Sequence, residues 1–224
     1  MTADEFMQAY TEVVSRKLGA QLDSLPFGIR LNHRPWECNQ TMEHGGFAST
    51  HSVLDVGALH TYFGLYVADF AGSVHVTDNF YWAAREYNRE HKLQSPVEWC
   101  QMMAEADPRV TAGEADIQDL PFESASFDRV VCVSTIEHVI DDKAGIREML
   151  RVLKPGGSVL LTTEYNHDHP KPYSEEDGSY YRIYDQKTLE ALVAGTGFSD
   201  FGVCVPGYLE PGQYTSAFFK LTAP

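Results

Sequence analysis

The 224-residue chain carries 32 acidic residues against 17 basic ones, a formal net charge of −15, and 43% of its residues are hydrophobic. A surface of that sign repels phosphate backbones and anionic bilayers, so neither nucleic acid nor a membrane is expected as a partner. The length and apolar content suit one α/β domain with a well-buried core, preceded by an N-terminal extension.

The four cysteines, Cys38, Cys100, Cys132 and Cys204, stand far apart and form no Cys-x-x-Cys pair, so ordinary thiols are expected in place of a zinc or redox site. No leader pattern opens the chain and no run of about 18 apolar residues interrupts it, which points to a soluble, cytoplasmic protein.

In chain order, Phe6, Tyr10, Val13, Val14 and Leu18 share one helix face, and Gly19 is a stop. Residues 31–47 read as irregular and aromatic-polar. They are either a lid over a ligand site or a connecting loop whose Trp36 packs on the core. Ser52–Ala68 then runs from an apolar β-branched stretch through Asp55-Val56-Gly57 into an amphipathic segment, the pattern of a first strand feeding a nucleotide-binding helix. A ligand site is expected near Gly57.

Ser73–Asp78 reads as a second strand ending in an acid. A carboxylate at such a strand end can accept both hydroxyls of a ribose diol, while the alternative is a helix cap with Asn79 beside it. Residues 80–110, with Tyr81, Trp82, Tyr87, Trp99, Met102 and Met103, supply apolar surface for two helical pieces broken at Ser95-Pro96. Arg109–Asp116 is followed by Leu120-Pro121-Phe122, where Asp119 reads as a turn cap; the family resemblance given below implies that this is a third strand ending in the acid Asp116. Ser126-Phe127-Asp128 then leads into a fourth strand ending at Ser134.

A helix over Ile146–Leu153 is stopped by Lys154-Pro155-Gly156-Gly157 before a fifth strand, Ser158–Thr163. A polar, tyrosine-rich loop over 164–184 precedes a helix from Gln186 to Ala194. Phe201–Val205 and Tyr214–Leu221 supply two last strands.

These motifs, in this order over roughly residues 50–222, resemble the class I S-adenosylmethionine-dependent methyltransferases. The family's first motif runs apolar-apolar-Asp-apolar-Gly-x-Gly-x-Gly. Here Leu59 and Thr61 stand where the later glycines would be.

The resemblance implies an α/β, Rossmann-like, doubly wound and mostly parallel sheet of about seven strands with an antiparallel C-terminal hairpin. It divides the chain into a helical extension and candidate lid over 1–48 and a methyltransferase domain over 49–224. It implies S-adenosyl-L-methionine as cofactor and S-adenosyl-L-homocysteine as product. Asp55, Gly57, Ala58 and His60 would hold the methionine end, Asp78 and Asn79 the ribose, and Asp116 and Ile117 the adenine, and Ser134 is a further cofactor-binding residue. His138 is the first base to name, since an imidazole titrates near neutrality; the alternative is that Glu137-His138 caps and shapes the pocket. Glu164 and His167 lie on the loop where family members often contact the acceptor.

His167-x-His169 with Asp168 has no third ligand at a local spacing, so no metal is assigned and a polar substrate loop is preferred. Tyr165, Tyr173, Tyr180, Tyr181, Tyr184 and Arg182 suit stacking on a sugar or aromatic ring. The expected activity is methyl transfer to a small molecule, with oxygen the favoured acceptor atom. A catalytically degenerate binding domain and a protein or peptide methyltransferase are the alternatives, and a homodimer is left open.

Overall fold

The computed structural model describes residues 2–20, 33–81, 95–175, 181–205, 207 and 209–223, without the side chain of His60. Residues 31 and 32 of the expected lid, Trp82, Tyr87 and Tyr180 lie outside the described residues, as does the first of the two helical pieces before Ser95.

Helix α1 (Ala3–Leu18) opens on a Thr2/Glu5 capping box and ends at Gly19, which takes φ 63°. Its buried face is Phe6, Tyr10 and Val14, the spacing read from the sequence. Helix α2 (Arg34–Gly45) occupies the stretch expected to be irregular. Pro35 sits in the first turn, where its fixed φ starts a helix. The buried positions are Glu37, Cys38, Asn39, Thr41 and Gly45, so the helical face carries few hydrocarbons and hydrophobic periodicity could not reveal it.

The sheet has seven strands: β1 (Ser52–Val56), β2 (Ser73–Asp78), β3 (Val110–Glu114), β4 (Phe127–Val133), β5 (Leu153–Tyr165), β6 (Gly197–Val203) and β7 (Thr215–Thr222). Their spatial order is β3-β2-β1-β4-β5-β7-β6. The first five are parallel, while β7 is antiparallel to β5 and to β6. This is the doubly wound, mostly parallel sheet with an antiparallel C-terminal hairpin that the sequence implied. Strand order reverses between β1 and β4, which leaves a crevice outside their carboxyl ends.

Several boundaries differ from the sequence reading. The third strand stops at Glu114, and Asp116 falls in the turn beyond it, where the Asp119 N–H donates to the Asp116 carbonyl at 3.0 Å. The sixth strand begins at Gly197, ahead of the expected Phe201, because Gly197 and Phe198 find ladder partners in Thr222 and Leu221. The segment after β1 is not amphipathic. It is a 3-10 turn (Ala58–His60) and a short helix α3 (Phe63–Val67) whose five residues are all buried, since α1 covers the side turned away from the sheet. Phe6 meets the rings of Phe63 and Tyr66 at 6.4 and 5.3 Å.

Helix α4 (Pro96–Ala106) starts at a Ser95/Glu98 capping box, at the break read from Ser95-Pro96. Helix α5 (Asp142–Val152) buries Gly145, Ile146, Met149 and Val152 as one stripe, and α6 (Gln186–Leu192) is capped by Asp185. Among the described residues no helix is long and apolar enough to cross a membrane.

Candidate active site

Three strand ends and two turns enclose a cavity of about 470 Å³ at the point where strand order reverses. That volume lies within the range of small-molecule and cofactor sites. Its floor is the end of β1, where Val56 leads into Gly57. Gly57 takes φ 75°, and a Cβ built there would sit 2.2 Å from Thr135 Oγ1, so only glycine serves both the backbone and the space.

The turn past Gly57 is held without the missing glycines. Tyr62 takes φ 49°, the left-handed region that a glycine would otherwise fill. Leu59 points into the core at 4% exposure, and its backbone N–H donates to Asp78 Oδ2 at 3.2 Å. The Tyr10 hydroxyl, from α1, donates to the Thr61 carbonyl, and Thr61 Oγ1 accepts from the Phe63 N–H at 3.3 Å. The N-terminal helix therefore clamps the altered turn.

Asp78 lines the cavity at the end of β2, its Oδ1 accepting from the Phe80 N–H at 2.7 Å. Burial raises its pKa, opposed by the hydrogen bonds from Phe80 and Leu59. On the far wall Asp116, Ile117 and Gln118 line the cavity. Asp116 Oδ1 accepts from both the backbone and the side-chain nitrogen of Gln118, at 2.9 and 3.1 Å, which fixes this turn.

The end of β4 supplies Ser134, Thr135 and His138. Ser134 takes φ 48° and is held there by its N–H, which donates to the Thr162 carbonyl and hydroxyl at 3.1 and 3.0 Å. The outer rim is Tyr81, Ile140, Tyr173 and Glu175. Arg182 binds the turn under that rim, donating to the carbonyls of Val139 and Ile140 at 2.7 and 3.0 Å.

The structure thus brings Gly57, Asp78, Asn79, Asp116, Ile117, Ser134 and His138 of the sequence-derived residues around one cavity. Asp55 and Ala58 lie behind its wall, 2% and 1% exposed. Burial pushes Asp55 up to about 7, with the Gly64 N–H opposing and Asp78 adding to the rise. His167 lies elsewhere, in a second pocket with Tyr165, Val205 and Leu209, its Nδ1 3.3 Å from the Tyr165 hydroxyl. It is carried there by Asn166, whose Oδ1 accepts from the N–H groups of Asp168 and His169 at 3.0 Å each.

Glu164 also stands outside the cavity lining. It joins Glu37 and Glu137 in a buried cluster behind Ser134. Burial pushes Glu164 up to about 9, with Glu137 and Glu37 adding to the rise and Arg34 opposing.

Two residues that motif reading missed come from α2. Arg34 lines the cavity and donates to the Val133 carbonyl at 3.1 Å. Glu37 pairs with Arg34 at 3.4 Å and accepts from the Ser134 hydroxyl at 3.2 Å. Their spacing of three residues was the available signal, but it means something only once 34–45 is known to be helical.

A family model described as a methyltransferase domain matches residues 54–161. The ubiquinone/menaquinone biosynthesis C-methyltransferase UbiE of Shewanella woodyi is 31% identical over 188 residues, 81% of this chain and 66% of that protein. UbiE of Pseudoalteromonas translucida is 30% identical over 199 residues, 86% of this chain and 68% of the relative. The chain thus spans about two thirds of the length of these relatives.

Among solved structures, the [4+2]-cyclase SpnF superimposes with a TM-score of 0.67 at 16% identity, covering 97% of this chain and 94% of that one. The 1,6-didemethyltoxoflavin-N1-methyltransferase of Burkholderia thailandensis, solved with its substrate and S-adenosylhomocysteine, gives 0.63 at 18% identity, covering 100% of this chain and 92% of its own. The fold, the cavity at the strand switch and the relatives agree: the chain belongs to the class I S-adenosylmethionine-dependent methyltransferases.

Proposed function

We propose that this protein transfers a methyl group from S-adenosylmethionine to a carbon atom of a small aromatic acceptor of the quinol type. The observation that carries the cofactor assignment is the single cavity at the strand switch, where Gly57, Asp78, Ile117 and Ser134 converge. Carbon in place of the expected oxygen is supported by relatives named as C-methyltransferases across four fifths of the chain. A planar ring also suits the rim, which presents Tyr81, Ile140 and Tyr173.

The residues present fit the cofactor. In this reading Asp78 accepts from the ribose diol with the lone pairs not used by Leu59 and Phe80. The Ile117 backbone N–H and the Asp116 carboxylate serve the adenine edge. Gly57 lets the methionine end approach the backbone, with Asn79 beside the ribose. Arg34, a cation on the cavity wall, is the partner for the methionine carboxylate. The candidate lid over 1–48 contributes through α2, which forms part of the wall.

When bound, the cofactor supplies an electrophilic methyl group on a sulfonium. The work left to the chain is alignment and exclusion of water. His138 faces the cavity, where its imidazole is placed to take the ring-hydroxyl proton as the acceptor's carbon becomes nucleophilic. The ring carbon's electron pair would form the new carbon–carbon bond as the sulfur–methyl bond breaks and leaves its pair on sulfur; the ring proton then passes from that carbon to solvent and His138 returns its proton to the ring oxygen, which restores the aromatic ring.

The test begins with calorimetric titration of S-adenosylmethionine and S-adenosylhomocysteine. Quinol and phenol acceptors carrying deuterium on the ring are then assayed by mass spectrometry. Loss of deuterium with gain of a methyl group supports carbon as acceptor, and methylation with full deuterium retention sinks it. His138→Ala is expected to slow turnover while leaving cofactor affinity unchanged.

A further inference from the structure

Behind the Ser134 wall lie, among the described residues, three carboxylates and one guanidinium. Glu37 and Glu137 are 2% and 0% exposed, and Glu164 reaches the same space from β5. Arg34 neutralises one charge by pairing with Glu37 at 3.4 Å. The Thr163 hydroxyl donates to Glu137 Oε2 at 3.1 Å. Glu137 Oε1 and Glu164 Oε2 are buried and accept no hydrogen bond from the described residues.

Glu137 at that depth and Glu164 half-buried beside it lack a cation of their own among the described residues, so desolvation favours their protonated forms. Burial raises the pKa of Glu137, with His138 opposing and Glu37 adding to the rise, in the same direction as Glu164. The other groups facing the cluster are Cys38 beside Arg34 on α2, Cys132 on β4 facing Glu137, Cys204 near Glu37, and Tyr214, which hydrogen-bonds Glu164.

The cluster meets the cavity through Arg34 and Ser134. Ser134 lines the cavity, and its hydroxyl donates to Glu37 Oε1 at 3.2 Å, so one hydroxyl separates a ligand against Ser134 from the first carboxylate. We infer that Glu37, Glu137 and Glu164 select the cofactor by its charge, the cluster releasing a proton to solvent when a sulfonium occupies the cavity and regaining one when the neutral thioether remains.

This rests on the cofactor reading above. S-adenosylmethionine and S-adenosylhomocysteine share their ammonium, carboxylate, ribose and adenine. They differ by a methyl group and one positive charge, so a difference in proton linkage between them reads that charge. The device favours cofactor over product and weakens the hold on product once the methyl group has left.

The experiment titrates the full chain with each ligand by calorimetry, in phosphate and in Tris, between pH 6 and 8. The two buffers differ widely in ionisation enthalpy, so the difference in apparent heat counts the protons released. S-adenosylmethionine is expected to release more protons than S-adenosylhomocysteine. Its affinity relative to the product should rise with pH, approaching about tenfold per pH unit if a whole proton is released.

Glu137→Gln and Glu164→Gln should shrink that difference while S-adenosylhomocysteine still binds. If a variant does not fold, the wild-type comparison decides alone. Equal proton counts for both ligands, with an affinity ratio independent of pH, overturn the charge selection and leave the cofactor site standing. Failure of both ligands to bind overturns the cofactor reading and this inference with it.

Discussion

Asp78 Oδ2 accepts the backbone N–H of Leu59 at 3.2 Å, which ties the acid at the end of β2 to a residue standing where the family motif has glycine. The bond shows how the turn dispenses with that glycine. Leu59 keeps an ordinary backbone, sends its side chain into the core, and leaves its N–H to a carboxylate that also lines the cavity. Asp78→Ala is therefore expected to remove a ribose acceptor and loosen the turn together. We expect at least a tenfold loss of S-adenosylmethionine affinity, about 1.4 kcal/mol or more, in a calorimetric titration. Unchanged affinity would return Asp78 to a turn cap.

Gly57→Ala puts a Cβ 2.2 Å from Thr135 Oγ1 and 2.8 Å from Thr135 Cβ, at φ 75°. Moving the Thr135 side chain cannot relieve a clash with its own Cβ, so the β1 and β4 ends must separate. The variant should lose measurable cofactor binding and melt several degrees lower. A variant with wild-type affinity would show that the close approach of these two turns is not required.

Tyr10→Phe removes the hydroxyl that donates to the Thr61 carbonyl while keeping the ring packed on Phe6 and Tyr66. A buried carbonyl left without its donor costs about 1–3 kcal/mol. Chemical denaturation should show a loss in that range, and cofactor affinity should fall although Tyr10 does not line the cavity. A loss of stability with no change in affinity would separate α1 from the site.

Stability should decline from pH 5 to pH 8. Asp55, Glu137 and Glu164 are all raised in the folded protein, Asp55 to about 7 and Glu164 to about 9. A raised acid contributes stability that is full below its unfolded pKa near 4 and is lost as pH rises through the folded value. The lowered acids Asp69, Asp107, Asp128 and Glu148 act in the opposite sense. Their contribution is present above an unfolded pKa near 4 and lost only in acid, so it stays constant over this window. Thermal melting against pH should therefore slope downward, and Glu164→Gln should flatten the slope and melt higher than wild type at pH 8. A flat wild-type profile would show the carboxylates to be relieved by solvent.

The sheet was legible because its signals are local. The β-branched runs before Asp55 and Asp78 mark strands whatever surrounds them, whereas the proline and glycines at 155–157, read as a helix stop, lie inside β5, the helix having ended at Val152. The stretch 34–45 was not legible as a helix, because its buried face is Glu37, Cys38, Asn39, Thr41 and Gly45. Those residues are buried to reach Arg34, Ser134 and the sheet behind them, and no local periodicity encodes a polar partner close to 100 positions away. The full burial of α3 escaped for the same reason, since its second covering layer is α1.

The sequence by itself determined the family, the succession of strands along the chain and the acid and glycine at the crevice, since these depend on spacing within single strand–turn units. Only the tertiary structure decided that His167 belongs to a second pocket, that Asp55 lies behind the wall, and that three glutamates from α2, the turn after β4 and β5 share one buried space. Burial and charge proximity are properties of what the folded chain brings together, and a carboxylate's protonation follows from its neighbours, not from its place in the sequence.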